Sequence, residues 1–274
     1  MHKIPFETIA AWRGFFARAD LPVLRASFDA LTLLRQDENT NARHIAGVIL
    51  DDPFMTVRLL AHLARTRSRR QVTDITTIEG TVMMLGMNKF YSAFEVVPIV
   101  EDELAAHPAA LEGLTHVVAR ARNASTWARD WAARRNDFTY EEITISALLH
   151  DLSEMLVWCF LPALALEMKA LQEAKPTLRS RIAQKAVLGI ELGLLQVELV
   201  REWHLPELII TLMDDVHATD PRVRNVMLAV NLARHADHGW HDPALADDYA
   251  AIGALLHLDA GRARALVMPE EQET

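Results

Sequence analysis

At Ala147-Leu148-Leu149-His150-Asp151-Leu152 an apolar helical run meets a histidine and an aspartate side by side. Around this phrase Ile143, Ile145, Leu148, Leu149, Leu152, Met155 and Leu156 recur at helical spacing. Thr139 and Glu142 have the spacing of a capping box, which would open that helix. A His-Asp dipeptide alone says little, because such pairs arise by chance. Its neighbours decide what it means.

Upstream, the pattern predicts a long helix over about 111–135, closed by Asn136-Asp137, and before it a polar, acidic stretch at 101–108 suited to a boundary between two lobes. Earlier still, a first helix is expected over about 6–18 and a second after Asp20, with Pro22 in its first turn and Leu24, Phe28, Leu31 and Leu34 on one face. Thr40 is the expected cap of a third helix, whose Ile45, Val48 and Ile49 face inward. Asp52-Pro53 should stop that helix and start the next, since proline at a first-turn position needs no amide donor. Thr76 and Glu79 form another capping-box spacing, and Leu85-Gly86 a left-handed helix end, with a further helix over about 88–100. Downstream, Pro162 and Pro176 punctuate the chain, and helices are expected over about 179–203, 206–217 and 221–238, with a weaker one through Leu255 and Leu266 and a frayed tail from Pro269.

Bulk composition agrees with an all-α protein. The 274 residues are 51% hydrophobic and 24% charged, with only 10 Gly and 11 Pro, and straight-chain residues lose little on entering a helix. A net charge of −9 disfavours non-specific binding to phosphate backbones. The one dense basic cluster, Arg65-Thr66-Arg67-Ser68-Arg69-Arg70, reads as the cationic end of a helix or as a small patch for an anion or acidic partner. The single cysteine, Cys159, lies in an apolar segment and excludes an intramolecular disulfide, which fits a reducing cytoplasm. Pro5 and Glu7 break the N-terminus before an apolar run forms, so no signal peptide is expected, and the stretch 155–166 is too short for a bilayer. Trp127 and Trp131, four apart, and Trp158 and Trp203 read as core.

Taken in order, these phrases resemble the HDOD domain family, non-catalytic relatives of the HD and HD-GYP metal phosphohydrolases. The His150-Asp151 pair is similar to the HD signature, and Asp20-Leu21-Pro22-Val23-Leu24 to the leucine-proline opening of HDOD domains. The run from Ile45 through Asp52-Pro53 to Leu59-Leu60, then Val72-Thr73, Thr76, Glu79 and Leu85-Gly86, follows the family order. So does Glu202-Trp203-His204-Leu205-Pro206-Glu207, with His217 beyond it. The resemblance spans about 20–236 and implies an HDOD-like helical fold, an N-terminal lobe (about 20–104) packed on an HD-like bundle (about 105–236). Residues 1–19 would be a helical extension and 237–274 a C-terminal helical extension and tail.

In HD phosphohydrolases a His, the His-Asp pair and a later Asp hold divalent metal, which generates a hydroxide and neutralises phosphate charge. Two adjacent residues cannot fix such a metal; a third must converge from another helix. On the family register the first His falls at or near Arg122 and the later Asp at Arg234, with His116 more than one turn too early unless a turn is inserted and Asp237 about one turn away. A guanidinium cannot ligate and would repel a cation, though it could pair with Asp151 in the ion's place. Glu154 stands where active relatives carry a lysine. The resemblance thus implies a degenerate site, with no catalytic residue, metal or cofactor, and Arg122, His150, Asp151, His217 and Arg234 as a candidate pocket. His150 and Asp151 can be a structural remnant, part of a ligand or partner pocket, or live metal ligands; His217 can simply be a histidine favoured by a helix C-terminus.

The expected function is regulatory, in bacterial signalling, through protein partners or a small effector, with a homodimer among the expectations and no membrane contact. A metal-dependent phosphohydrolase or cyclic-dinucleotide phosphodiesterase is the second reading. A nucleic-acid-binding regulator built on the helix pair at Gly86 is the third, disfavoured by the acidic balance.

Overall fold

Few glycines and prolines interrupt the helical periodicity, and the described residues form seventeen α-helices, one 3-10 turn and no strand. The structure is a computed structural model that describes residues 5–66, 76–175 and 178–268. The first helices are α1 (Ile9–Ala17), α2 (Arg25–Gln36), α3 (Ala42–Ile49), α4 (Pro53–Thr66), α5 (Ile78–Leu85), α6 (Met87–Ala93) and α7 (Val100–Glu103). Then come α8 (Pro108–Arg134), α9 (Tyr140–Leu149), α10 (Leu152–Phe160), α11 (Pro162–Ala174), α12 (Ser180–Leu188) and α13 (Leu192–Glu202). The last are α14 (Glu207–Leu212), the 3-10 turn Asp215–His217, α15 (Pro221–Ala236), α16 (Leu245–Leu256) and α17 (Ala260–Val267). They gather into two compact units, each discontinuous in sequence: Met1–Val118 with Asp151–Ile210, and Ala119–His150 with Thr211–Thr274. The polar stretch 101–108 lies inside the first of these.

In the first unit, Asp52 organises the N-terminal helices. Its fully buried carboxylate accepts from the backbone N–H of Phe54 and Met55, capping α4, and from that of Leu24 on a distant segment. The expected break at Asp52-Pro53 is therefore present, and its carboxylate also ties down the chain before α2. That tie corrects the reading of Pro22. Instead of starting a helix, the segment around it is extended, and Val23 forms an isolated parallel bridge with Ile99, its N–H donating to Pro98 O at 2.9 Å. With the Val23 amide committed to Pro98 and the Leu24 amide to Asp52, both residues are held extended before α2.

Elsewhere in this unit α1 packs on α13, with Arg13 between Glu198 (3.0 Å) and Glu202 (3.5 Å). Phe15 and Phe16 meet Phe160 edge-on. Gly113 on α8 lies flat against Trp158 of α10: a Cβ there would come within 2.4 Å of the indole, so only glycine permits the approach. Ile45, Ile49, Phe54, Met55, Leu59 and Phe90 are fully buried.

In the second unit three hydrogen bonds or ion pairs set α8 antiparallel to α15. Arg135 Nη1, just past α8, donates to Pro221 O (3.1 Å), buried Asn225 Nδ2 to Ala128 O (3.2 Å), and Arg120 pairs with Asp237 (4.0 Å). α9 and α16 pack on α15, and α17 on α16. His235 Nδ1 lies 2.6 Å from the buried Asp248 carboxylate, joining α15 to α16; that hydrogen bond raises the His235 pKa above its ordinary value, against the opposing effect of burial.

Several expected caps are displaced by one residue or replaced. Asn41, not Thr40, caps α3, accepting from Arg43 and His44 N–H, while the Thr40 hydroxyl donates to Leu34 O. Thr77, not Thr76, caps α5, accepting from Gly80 N–H at 3.2 Å. Thr139 precedes α9 without capping it; its hydroxyl and N–H both donate to Asp137, so the hydroxyl's proton is directed away from the helix. Gly86 has the expected positive φ (78°), but its ψ of 146° joins α5 to α6 by a bend rather than a left-handed helical residue. The stretch expected as one helix over 88–100 ends at Ala93 and resumes as α7, and the stretch 179–203 is divided at left-handed Gly189. Trp127 packs against Trp240, 6.3 Å between ring centroids, while Trp131, Trp158 and Cys159 are buried and Trp203 is half-buried. Residues 67–70 of the basic cluster, Val72-Thr73, Pro176 and the tail from Pro269 lie outside the described residues.

Candidate functional site

The helix expected to run unbroken through His150-Asp151 breaks there. His150 is the C-terminal cap of α9 and Asp151 the N-terminal cap of α10. Asp151 is buried, yet its carboxylate accepts nothing from the first turn of α10. That turn is satisfied from elsewhere. Ser153 N–H donates to Oε1 of buried Gln196 on α13 at 2.7 Å, and the Ser153 hydroxyl donates to Leu192 O at 3.0 Å. A buried amide left unpaired would cost about 1–3 kcal/mol, and Gln196 prevents that. Gln196 gave no signal in the sequence: a glutamine in an apolar helix has no local pattern that assigns it to an amide 43 residues away.

His150 is oriented by a residue the sequence reading did not single out. Its Nε2 lies 3.3 Å from Oδ1 of Asp215 in the 3-10 turn, with the His150 side chain 12% and the Asp215 side chain 54% exposed. His217, at the other end of the same turn, is 3.4 Å from Asp214, and Asp214 also accepts from Val216 N–H. The turn Asp214-Asp215-Val216-His217 thus supplies a carboxylate to each of two histidines. Its acid-histidine composition is visible in the sequence, but its pairing across 65 residues is not.

Arg122 on α8 and Arg234 on α15 are half-buried. With 135 beside 221, 128 beside 225 and 120 beside 237, the antiparallel register puts residues 122 and 234 at about the same height. Arg122, His150, His217 and Arg234 belong to the second unit, whereas Asp151 is the first residue of the returning segment of the first. His116 is exposed on α8, and Asp237 is engaged with Arg120. Among the described residues no three His, Cys, Asp or Glu side chains converge where they could hold a metal ion. The metal centre that the HD resemblance implies would need at least three such groups together. An imidazole hydrogen-bonded to a carboxylate can hold or pass a proton. Burial, with a smaller effect from Glu103, pushes the Cys159 thiol up to about 12, which disfavours the thiolate that a nucleophile needs.

The HDOD domain family matches residues 21–219 of the chain. No curated protein matches it in sequence. Among solved structures, a virulence factor from Campylobacter jejuni subsp. jejuni is similar over 96% of this chain and 98% of that one, at 19% identity and a TM-score of 0.72. The MmoQ response regulator from Methylococcus capsulatus is similar over 92% of this chain and 100% of that one, at 17% identity and a TM-score of 0.68. At such identities the likeness is one of fold.

Proposed function

The chain belongs to the HDOD domain family, and from that premise we propose that it is a non-catalytic regulatory protein, acting in the cytoplasm through protein partners or a small effector. The observation that carries this reading is the absence, among the described residues, of any three converging metal-ligating side chains. Arg122 and Arg234 stand at the positions where the family register would place the missing ligands, and fixed guanidiniums there oppose a cation by charge as well as by chemistry. Arg122, His150, His217 and Arg234, all in the second unit, are then polar positions whose work is recognition or structural support. One stretch, Tyr140–Phe160, is long and apolar enough to cross a membrane, but 83% of that window is buried within the protein and α9 and α10 divide it. We read it as core.

The test is elemental analysis of protein purified without chelator, joined to a phosphodiesterase assay with added manganese or iron. The expected outcome is substoichiometric metal and no turnover above a His150→Ala/Asp151→Ala double variant. Stoichiometric iron or manganese, with hydrolysis that the double variant abolishes, would establish the phosphohydrolase reading instead.

A further inference from the structure

In the second unit, the turn between α8 and α9 holds out Phe138, 95% exposed, the most exposed large apolar side chain among the described residues; Tyr140, two positions on, is 48% exposed. The turn is fixed from within. Asn136 adopts a positive φ of 53°, Asp137 N–H donates to Ala132 O at 3.0 Å, and the Asp137 carboxylate accepts from both the N–H and the hydroxyl of Thr139. Beside it lies a shallow hollow of about 530 Å³ lined by Arg135, Asp137, Thr219, Asp220, Pro221 and Arg222. Arg135 is held by Pro221 O, and the Arg222 fork by Asp220, with Nη2 to Oδ2 at 3.0 Å.

We propose that this turn and the start of α15 form the face through which two copies of the chain associate about a two-fold axis. The proposal rests on the reading that the protein acts through its surfaces, and it says where one of those surfaces is. Charge decides the occupant. Each chain carries −9, so two copies repel except where their facing surfaces are balanced. The hollow is such a place, with two guanidiniums and two carboxylates in one patch. A two-fold operation brings the same patch against itself, and a patch carrying both signs can set each arginine over a partner carboxylate. A purely acidic or purely basic partner would meet repulsion from half of these groups. Phe138 supplies the apolar anchor, and aromatic and arginine side chains are the types that dominate interface energies. The hydrogen bonds that already hold Arg222 and the turn reduce the ordering cost of association. The Asp220 and Arg222 side chains also hold each other charged, the carboxyl's pKa lowered and the guanidinium's raised by their mutual hydrogen bond.

Sedimentation velocity of the whole chain, from micromolar to submillimolar concentration, tests this. The wild type should show a reversible monomer–dimer equilibrium. Phe138→Ser and Arg222→Ser should each raise the dissociation constant at least about tenfold, the ratio expected for a central anchor, with far-ultraviolet circular dichroism unchanged. Leu33→Ser, which removes an exposed apolar side chain from α2 in the first unit (68% exposed), should leave the equilibrium as it was. A monomer at every concentration, or a dimer that Phe138→Ser leaves intact, overturns the proposal. So does a dimer that Leu33→Ser weakens as much. None of these outcomes bears on the metal and hydrolysis assays, so failure here is distinct from failure of the non-catalytic reading.

Discussion

Asp52 and Asp151 occupy the same place in the chain's grammar. Each is a buried aspartate set between two helices and opening the second of them, yet the two carboxylates are used differently. Asp52 gives both oxygens to backbone amides: Phe54 and Met55 at the start of α4, and Leu24 across the fold. Asp151 gives none to the start of α10, where Gln196 meets the Ser153 amide instead. A carboxylate absorbed by its own backbone is structural, and its position needs no further explanation. A buried carboxylate whose helix start is met by a neighbour makes its contacts elsewhere. The difference teaches that beside the His-Asp pair a second side chain, Gln196, takes over the first turn of α10.

The contrast is broken most forcefully at Asp52. Asp52→Ala strands three amide donors with no acceptor and should destabilise the protein by about 3–5 kcal/mol in urea titrations. A loss below about 1 kcal/mol, the range of an ordinary surface cap, would mean that Asp52 is not the staple described here.

Next in size is a pH effect. Burial pushes the Asp52 carboxyl up to about 6 from 3.8, in spite of its donors Met55, Leu24, Ser27 and Phe54. The folded state then holds this proton more tightly than the unfolded chain does. Asp52 therefore stabilises the fold most at low pH, and that contribution falls as pH rises from 3.8 to about 6. At about 1.4 kcal/mol per pKa unit the whole change is on the order of 3 kcal/mol. It should appear as a difference in pH dependence between wild type and Asp52→Asn, which has no such proton to lose. Parallel curves for the two proteins would remove the effect.

The smallest change sharpens the other side. Gln196→Leu leaves the Ser153 amide unpaired and should cost about 1–3 kcal/mol. Hydrogen exchange should quicken at Ser153 in that variant, whereas Asp151→Asn should leave Ser153 protected. Faster exchange at Ser153 in Asp151→Asn would show that the carboxylate caps α10 after all, and the two aspartates would no longer differ.

Much of the helical order was legible beforehand, for local reasons. Apolar periodicity located α8, α9 and α15, and proline after aspartate located the α3–α4 junction, because both signals act within a turn or two of the residue that carries them. The caps were less legible. Thr40, Thr76 and Thr139 all have the right chemistry, but Asn41, Thr77 and the Asp137-Thr139 contact won, since neighbouring side chains of similar capping strength compete for the same amides. Pro22 was misplaced because its segment obeys Asp52 and Ile99, both far away in sequence. For the candidate site the sequence offered the His-Asp pair and the two arginines as candidates. Asp215 and Gln196 could not, because a polar side chain's partner is set by which helices pack together.

By itself the sequence determined the all-helical class and the family to which the chain belongs, each a matter of residue type and short-range spacing. Only the tertiary structure decided that Asp52 reaches Leu24, that Gln196 caps α10 and that His150 rests against Asp215. Those contacts span tens of residues, and the buried polar groups that make them must find a partner wherever the packing of helices brings one within reach.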